Sequence, residues 1–306
     1  MTKKMDSKWL PLATASILGQ APRIDTLIDF ALDEDAAFGD VTSQSIFPPE
    51  HVSRARILAR EDMVICGLEI AKSVFKRVDP ALKVELETND GNPVHKGSAV
   101  LRAEGSTISL LIAERTALNF LQRLSGIASL SRRFADAANA TGTGVRIVDT
   151  RKTTPGWRAL EKYAVRCGGC FNHRSSLGEH VLIKENHITA AGSLRNAVKL
   201  AREFAPHCAK IEVETESLDQ VKEALEAEAE VIMLDNMSPK QIHQAVSLIN
   251  KAAIIEISGG VRLDTIADYA LKGVDVISVG ALTHSAPAAD FSMLISMSNP
   301  KNSSAE

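Results

Sequence analysis

The sequence predicts an α/β protein in which a small α+β unit is followed by a barrel of repeating βα units. Three observations carry that expectation. Apolar runs recur at Val145–Val148, Val181–Ile183, Ile211–Val213, Val231–Leu234, Ile254–Ile257 and Val274–Val279. Helical patterns lie between them, over Gly192–Phe204, Leu218–Ala227, Pro239–Asn250 and Leu263–Leu271. Continuous apolar strands that alternate with amphipathic helices make βαβ units and a parallel sheet. From Ile211 onward the strands return at a spacing of roughly twenty residues, and no GxGxxG follows any of them. A regular beat without that fingerprint favours a barrel over a dinucleotide-binding sheet.

Composition narrows the function classes. The 306 residues are 45% hydrophobic and 24% charged, enough for one large or two medium domains with a full core. The longest apolar stretches have strand length, so no membrane span is expected. The N-terminus starts basic but has no apolar core of signal-peptide quality, which makes the cytoplasm the default compartment. A net charge of −3 and 4% aromatic residues argue against a nucleic-acid partner, which wants a broad basic surface and stacking rings. Cys66, Cys167, Cys170 and Cys208 are too scattered for a disulfide framework. Cys167-Gly-Gly-Cys170 has redox or half-zinc spacing. It lacks a second CxxC or a nearby HxxxH, and it lies between basic residues rather than opening a thioredoxin-like helix.

Taken in order, residues 1–22 read as a mobile arm suited to docking on a partner. Ile24, Leu27, Ile28, Ala31 and Leu32 repeat at helical spacing, so a helix begins near Arg23 and runs into an acidic turn, Asp33–Ser43. Pro48-Pro49 breaks the chain. Short alternating segments follow at Arg54–Ala59, Met63–Cys66, Leu82–Glu87, Ala99–Ala103 and Thr107–Ile112, interrupted by one helix, Leu68–Val78, and punctuated by Gly91-Asn92-Pro93, Gly97 and Gly105. Ala113–Ala138 predicts a long helix with Leu118, Leu121, Leu124 and Ile127 as its buried stripe and Gly126 as its weak point. Arg115 on that helix reads by itself as a solvated charge near Glu114 and Asn119. In the barrel half, Ser217 and Ser238 make good N-caps, and Pro239 sits at a favoured first helical position.

In barrels the functional groups lie at the C-terminal ends of strands. The stretch Thr150–His187 holds seven Lys/Arg against three Asp/Glu in a chain that is acidic overall. Thr150, Arg151 and Lys152 follow the first apolar run and Lys184 ends the second. Arg174 joins these cations, with His173 and His187 as further donors. His187 is more readily read as a helix N-terminal or core histidine. Glu214 and Asp235 end later strands, and because Ser217 and Ser238 already cap the next helices, neither carboxylate has an obvious structural task. Ser258-Gly259-Gly260 and Val279-Gly280-Ala281 lie in the last two units, where barrels commonly hold a phosphate with backbone N–H groups; SGG alone is as readily a turn. Together these groups suit a phosphorylated, multiply charged substrate with Mg²⁺, for which carboxylates and substrate phosphates are the usual ligands. No Ser or Cys triad is evident, so electrostatic positioning is expected rather than a covalent intermediate. Two rivals stay open at this point: a barrel aldolase or synthase with Lys184 as its Schiff-base lysine, and a non-catalytic sensor of a phosphometabolite.

The strings ERTALNFLQRLSGIAS, DTRKTTPGWRALEKYAVRCGG, NHRSSLGEHVLIKENHI, IEVETES, MLDNMSP, EISGGV and SVGALTHSAPAADFS run in order over Glu114–Ser292, and EDAAFGDVTS extends them to residue 34. They resemble the quinolinate phosphoribosyltransferase family, the decarboxylating nicotinate-nucleotide pyrophosphorylases among type II phosphoribosyltransferases. The resemblance implies an N-terminal α/β sandwich (1–128, with 287–306 packing back on it) and an incomplete TIM-like α/β barrel (129–286) carrying the site. It implies a homodimer or higher homo-oligomer in which Arg115 crosses to the partner's site. It also implies that Arg151, His173, Arg174 and Lys184 surround quinolinate, with Lys152 near the substrates. Glu214 and Asp235 match positions near the ribose and Mg²⁺ of phosphoribosyl pyrophosphate, and the SGG and VGA loops match its 5′-phosphate site. Lys152, Glu214 and Asp235 are the implied catalytic set. Cys170, Ser176 and Trp157 depart from the family pattern.

Overall fold

The structure is a computed structural model that describes residues 21–297. The arm expected over residues 1–22 lies outside the described residues, save the two that open the first helix. The chain divides into two compact units. One comprises Met1–Leu130, Ala159–Gly169 and Ala286–Glu306, the other Ser131–Arg158 and Cys170–Ser285. The segment Ala159–Gly169, read from sequence as part of the barrel, therefore groups with the first unit.

In the first unit, α1 (Ala21–Ala36) and α2 (Val41–Ile46) precede the sheet. Asp40 caps α2 by accepting the Ser43 N–H at 3.0 Å, so the acidic turn ends in a helix that its polar sequence hides. Four antiparallel strands follow the order β12–β1–β5–β3, with β1 Val52–Ala59, β3 Lys83–Leu86, β5 Ala99–Ser106 and β12 Phe291–Met297. Ser53, Ala55, Ile57 and Ala59 alternate inward along β1, as a half-buried strand requires. A small pair, β2 (Met63–Val64) and β4 (Pro93–Val94), stands beside it in sequence. Helix α3 (Leu68–Val78) buries Leu68, Ile70, Ala71, Val74 and Phe75.

The long helix α4 spans Thr107–Ala140, so the strand expected at Thr107–Ile112 is helix instead. The run TISLLI is rich in β-branched residues, but Leu110, Ala113 and Ala117 continue one buried face into the stripe of Leu118, Leu121, Leu124 and Ile127. Tertiary burial overrides a weak local propensity here. The chain turns at Gly105 (φ 149°), and the Thr107 hydroxyl meets both His51 Nδ1 and Ser53 Oγ at 2.7 Å, which anchors the start of the helix.

Gly126 is a close crossing rather than a weak point. A Cβ there would stand 2.0 Å from the Pro287 carbonyl oxygen, a backbone atom that cannot swing aside. Gly126→Ala is expected to cost about 2–3 kcal/mol through overpacking and to lower the melting temperature in a thermal scan. A variant that melts with the parent protein would contradict this.

The second unit holds a six-stranded sheet in which every pairing is parallel. Its strands are β6 (Arg146–Val148), β7 (Val181–Ile183), β8 (Ile211–Thr215), β9 (Val231–Asp235), β10 (Ile254–Ser258) and β11 (Val276–Ser278). The order is β6–β11–β10–β9–β8–β7, so the first strand lies beside the last. That cyclic order is a barrel with one pairing missing, between β6 and β7. Helices α6 (Glu185–Ala191), α7 (Leu194–Phe204), α8 (Leu218–Glu226), α9 (Pro239–Ile249), α10 (Ile266–Tyr269) and α11 (Ala281–His284) alternate with the strands. Ser193, Ser217 and Ser238 cap α7, α8 and α9 through their hydroxyls, and Gln241 completes a capping box with Ser238. The pattern read as one helix over Gly192–Phe204 therefore opens at the Ser193 cap, with α6 a separate element before it.

Helix α5 (Arg158–Cys167) was not legible as a helix, because charges fall on the face it buries, at Glu161 and Lys162. Leu160, Ala164 and Val165 are buried together with Glu161, whose carboxylate receives Arg123 at 2.6 Å. The partners of this charge lie far away in the chain.

Candidate active site at the strand ends

Parallel strands put all their C-terminal ends on one rim, so local sequence decides which groups stand there. Thr150, Arg151 and Lys152 leave β6, Lys184 leaves β7, Glu214 stands near the end of β8, and Asp235 ends β9. Ser258-Gly259-Gly260 leaves β10 and Val279-Gly280-Ala281 leaves β11. Neighbouring ends are joined by direct contacts. The Lys184 ammonium donates to Glu214 Oε2. Asp235 Oδ2 accepts the Asn236 side-chain amide at 2.7 Å. The Lys152 side chain passes Gly280, where a Cβ would stand 3.2 Å from Lys152 Cδ, and Thr283 Oγ1 donates to the Lys152 carbonyl at 2.8 Å.

The SGG segment is more than a turn. Gly259 and Gly260 take φ of 90° and 65°, a region that side chains disfavour. A Cβ on Gly259 would stand 2.2 Å from Asn236 Oδ1, so the loop passes close against the end of β9.

The loop between β6 and β7 carries the remaining cations. Asp149, fully buried, accepts the His173 N–H at 2.9 Å and the Asn172 amide at 2.6 Å. Arg158 donates to Thr153 Oγ1, to the Ser175 carbonyl at 3.1 Å and to the Arg151 carbonyl at 3.4 Å, clamping the two halves of the loop. Arg174 is 8% exposed and donates to the His180 carbonyl at 3.0 Å. Burial, and then the charge of Arg151, depress its pKa, and the charges of Glu212 and Glu179 offset this only in part. Arg151 Nε is buried and has no hydrogen-bond partner among the described residues. A buried donor left open is costly unless a ligand completes it.

His173 stands in this set by position, but both its ring nitrogens are engaged within the barrel. Nδ1 accepts the Arg174 N–H at 2.8 Å, and Nε2 lies 3.4 Å from Glu212 and 3.4 Å from Glu256. Burial opposes a charged ring and the two glutamates favour one, drawing the His173 pKa upward, but the Arg174 N–H already holds the Nδ1 lone pair. A second proton would have to sit on Nδ1, facing the Arg174 N–H. That short contact decides the tautomer, with a single proton on Nε2. Burial also raises the pKa of Glu256. In Glu212 burial is outweighed by His173 and His180, and the pKa falls.

His187 is a helix N-terminal residue, with Nδ1 accepting the Lys184 N–H at 2.9 Å. The CGGC segment does not act as a pair. The Cys170 thiol donates to the Ser131 carbonyl, whereas Cys167 lies by Cys66 and Asp90, their ligand atoms within 4.8 Å of one another. That thiol pair is buried, and burial first of all pushes Cys66 well up, which makes it an inert core thiol. Ser176 accepts the Gly178 N–H within its own loop. Arg115 is exposed on α4 in the first unit, away in sequence from every rim residue. Asn172, Arg158, Glu212 and Glu256 were not singled out from sequence, and Asp149 was noted only as the residue that follows the first apolar run. The inward alternation of Glu212 with Glu214 along β8 was the one available signal.

An open parallel barrel with cations, carboxylates and glycine turns on one rim has the features of an α/β-barrel enzyme, a class that places its functional groups at the strand ends. Residues 40–125 match the quinolinate phosphoribosyl transferase N-terminal domain and residues 127–294 its C-terminal domain. The chain belongs to the quinolinate phosphoribosyl transferase family. A probable nicotinate-nucleotide pyrophosphorylase [carboxylating] of Bacillus subtilis is 41% identical over 277 residues, covering 90% of this chain and 95% of its own. Quinolinate phosphoribosyltransferase [decarboxylating] 2, mitochondrial, of Nicotiana glauca is 41% identical over 288 residues, covering 88% of this chain and 81% of its own. The crystal structure of NadC from Streptococcus pyogenes superimposes with a TM-score of 0.86 at 41% identity, over 90% of this chain and 97% of that one.

Proposed function

We propose that this rim transfers the phosphoribosyl group of phosphoribosyl pyrophosphate to quinolinate with decarboxylation, yielding nicotinate mononucleotide, pyrophosphate and CO₂ in NAD biosynthesis. The observation that carries the reading is the open, buried Arg151 donor beside Arg174, in a chain of this family. Quinolinate is a dianion, and guanidinium forks bind carboxylates bidentately at fixed geometry. Arg151, Arg174 and Lys184 receive it, with the His173 ring shaping that wall. The glycine turns at Gly259-Gly260 and Gly280 receive the 5′-phosphate, and Lys152 stands between the two substrates.

In the reaction the ring nitrogen forms a bond to C1′ while the C1′–O bond breaks and pyrophosphate leaves with the electron pair. Glu214 and Asp235 stabilise the positive charge that builds on the ribose. The resulting pyridinium then loses CO₂ from its 2-carboxylate; the C–C electrons pass to ring carbon 2, which takes a proton from solvent. Mg²⁺ fits the same two carboxylates: Glu214 Oε1 stays available beside Lys184, and Asp235 Oδ1 beside Asn236. When bound, it would offset charge on the leaving pyrophosphate.

The same reading includes a homodimer. An apolar cavity of about 890 Å³ lies beside the edge strand β7, with Leu177 71% and Phe204 93% exposed near it. Exposed apolar patches next to an open sheet edge mark interaction surfaces. We place the reaction in the cytoplasm, a setting that suits four scattered free cysteines. No described helix is long and apolar enough to cross a membrane.

The test is release of CO₂ and pyrophosphate from quinolinate and phosphoribosyl pyrophosphate. Turnover is expected with Mg²⁺, to stop when EDTA is added and to return when Mg²⁺ is restored. Nicotinate, lacking the second carboxylate, is expected to be a poor acceptor. Equal turnover of nicotinate would refute the dicarboxylate assignment, and full activity in EDTA would refute the metal.

A further inference from the structure

We propose that Glu212 and Glu256 are positioning residues that act through the His173 ring to aim Arg174 at the dicarboxylate. The inference rests on the reading of the site given above and adds two residues that lie one step inside the rim. Glu212 precedes Glu214 by two residues on β8, and Glu256 precedes Ser258 by two on β10, so each points inward one layer beneath a rim group.

Both glutamates are nearly fully enclosed, with side chains 2% and 5% exposed, and neither meets a Lys or Arg within ion-pair distance among the described residues. Two enclosed carboxylates without a cation are costly unless something holds them in place. What lies between them is the ring of His173, which itself is 10% exposed. Its Nε2 stands 3.4 Å from an oxygen of each, an electrostatic contact that leaves Glu212 Oε1 and Glu256 Oε1 buried without a hydrogen-bond partner among the described residues. On the far side of the ring, Nδ1 takes the N–H of Arg174 at 2.8 Å. Glu212 also holds His180 Nε2 at 3.0 Å, and the carbonyl of that residue receives the Arg174 guanidinium at 3.0 Å. Arg174 is thus fixed at its backbone through His173 and at its side chain through His180, and both lines end on Glu212. Asp149 supplies the third anchor by accepting the His173 N–H.

Glu212, His173 and His180 have ligand atoms within 4.8 Å of one another, which also raises the question of a metal ion. The Arg174 N–H excludes it in this arrangement. It occupies the Nδ1 lone pair, so the ring proton is on Nε2 and no Nε2 lone pair faces Glu212. The cluster is a strut built for orientation, with hydrogen bonds at its Arg174 and His180 ends and electrostatic contacts between the His173 ring and the two glutamates. Guanidinium forks need such support, because a recognition geometry that is loose by about 1 Å loses much of its value.

The decisive variant is Glu256→Leu, which keeps volume and removes the acceptor, studied in the full-length enzyme with both substrates varied. The KM for quinolinate is expected to rise about tenfold, with kcat and the KM for phosphoribosyl pyrophosphate within about twofold of the parent. Glu256→Gln is expected to recover most of the loss, since its carbonyl oxygen keeps partial negative charge facing Nε2 in the same volume. An unchanged quinolinate KM in Glu256→Leu overturns the proposal. So does an equal rise in both KM values, which would mean general loosening, and so does a Gln variant as impaired as Leu. If Glu256→Leu does not fold, Glu256→Met is read in the same way. A parent enzyme with no turnover would count against the site reading, whereas an active parent with an unaffected variant counts against the strut alone.

Discussion

Replacing Arg151 with lysine is expected to lower kcat/KM for quinolinate about a thousandfold, equivalent to ~4 kcal/mol, while the protein stays folded. The size of the effect follows from the geometry around this residue. Its backbone is held by Arg158, its Nε is buried without a hydrogen-bond partner among the described residues, and its charge lies close enough to Arg174 to depress that residue's pKa. A pair of guanidinium groups that destabilise one another in the absence of ligand is stabilised by a dianion that meets both. Lysine keeps the charge but has no planar fork and no Nε–H at that place. Steady-state kinetics with quinolinate varied, together with a melting curve, checks the expectation. A lysine variant within about fivefold of the parent would mean that charge alone suffices.

Arg115→Ala is expected to reduce quinolinate turnover by at least a hundredfold, although Arg115 is exposed and belongs to the unit that does not contain the rim. The homodimer reading makes a sharper demand. Arg115→Ala and Asp235→Asn, each nearly inactive alone, damage different halves of a shared site. Mixing and re-pairing the two chains should restore roughly a quarter of parental activity, because half of the dimers then carry one intact site. If mixing restores nothing while the chains demonstrably exchange, Arg115 does not serve a partner's site. If Arg115→Ala retains full activity, it is the solvated helix charge that its local sequence suggests.

Much of the second unit could be read from sequence because its signals are local. A buried parallel strand must be apolar throughout, so β7 to β10 appear as runs such as VLI and VIML, and Ser217 and Ser238 announce the helices that follow. Once the barrel order is accepted, the rim needs no further information, since parallel strands present their ends together. The first unit was harder. Thr107–Ile112 carries strand-like residues and is helix because its burial continues a face laid down ten residues later. Helix α5 escaped notice because Glu161 and Lys162 are buried charges, and Glu161 is neutralised by Arg123, a residue 38 positions away.

The amino-acid sequence by itself determined the class of fold, the alternation of strands and helices in the second unit, and which cations, carboxylates and glycine turns follow those strands, because period, capping and strand ends are written in neighbouring residues. Only the tertiary structure decided that Gly126 is a backbone crossing, that Gly259 lies against Asn236, that Cys167 lies by Cys66 rather than acting with Cys170, and that the His173 ring turns its nitrogens to Arg174, Glu212 and Glu256. Each of these is a contact between segments distant in the chain. Its energy depends on where two elements meet in space, a quantity to which no local pattern of residues is sensitive.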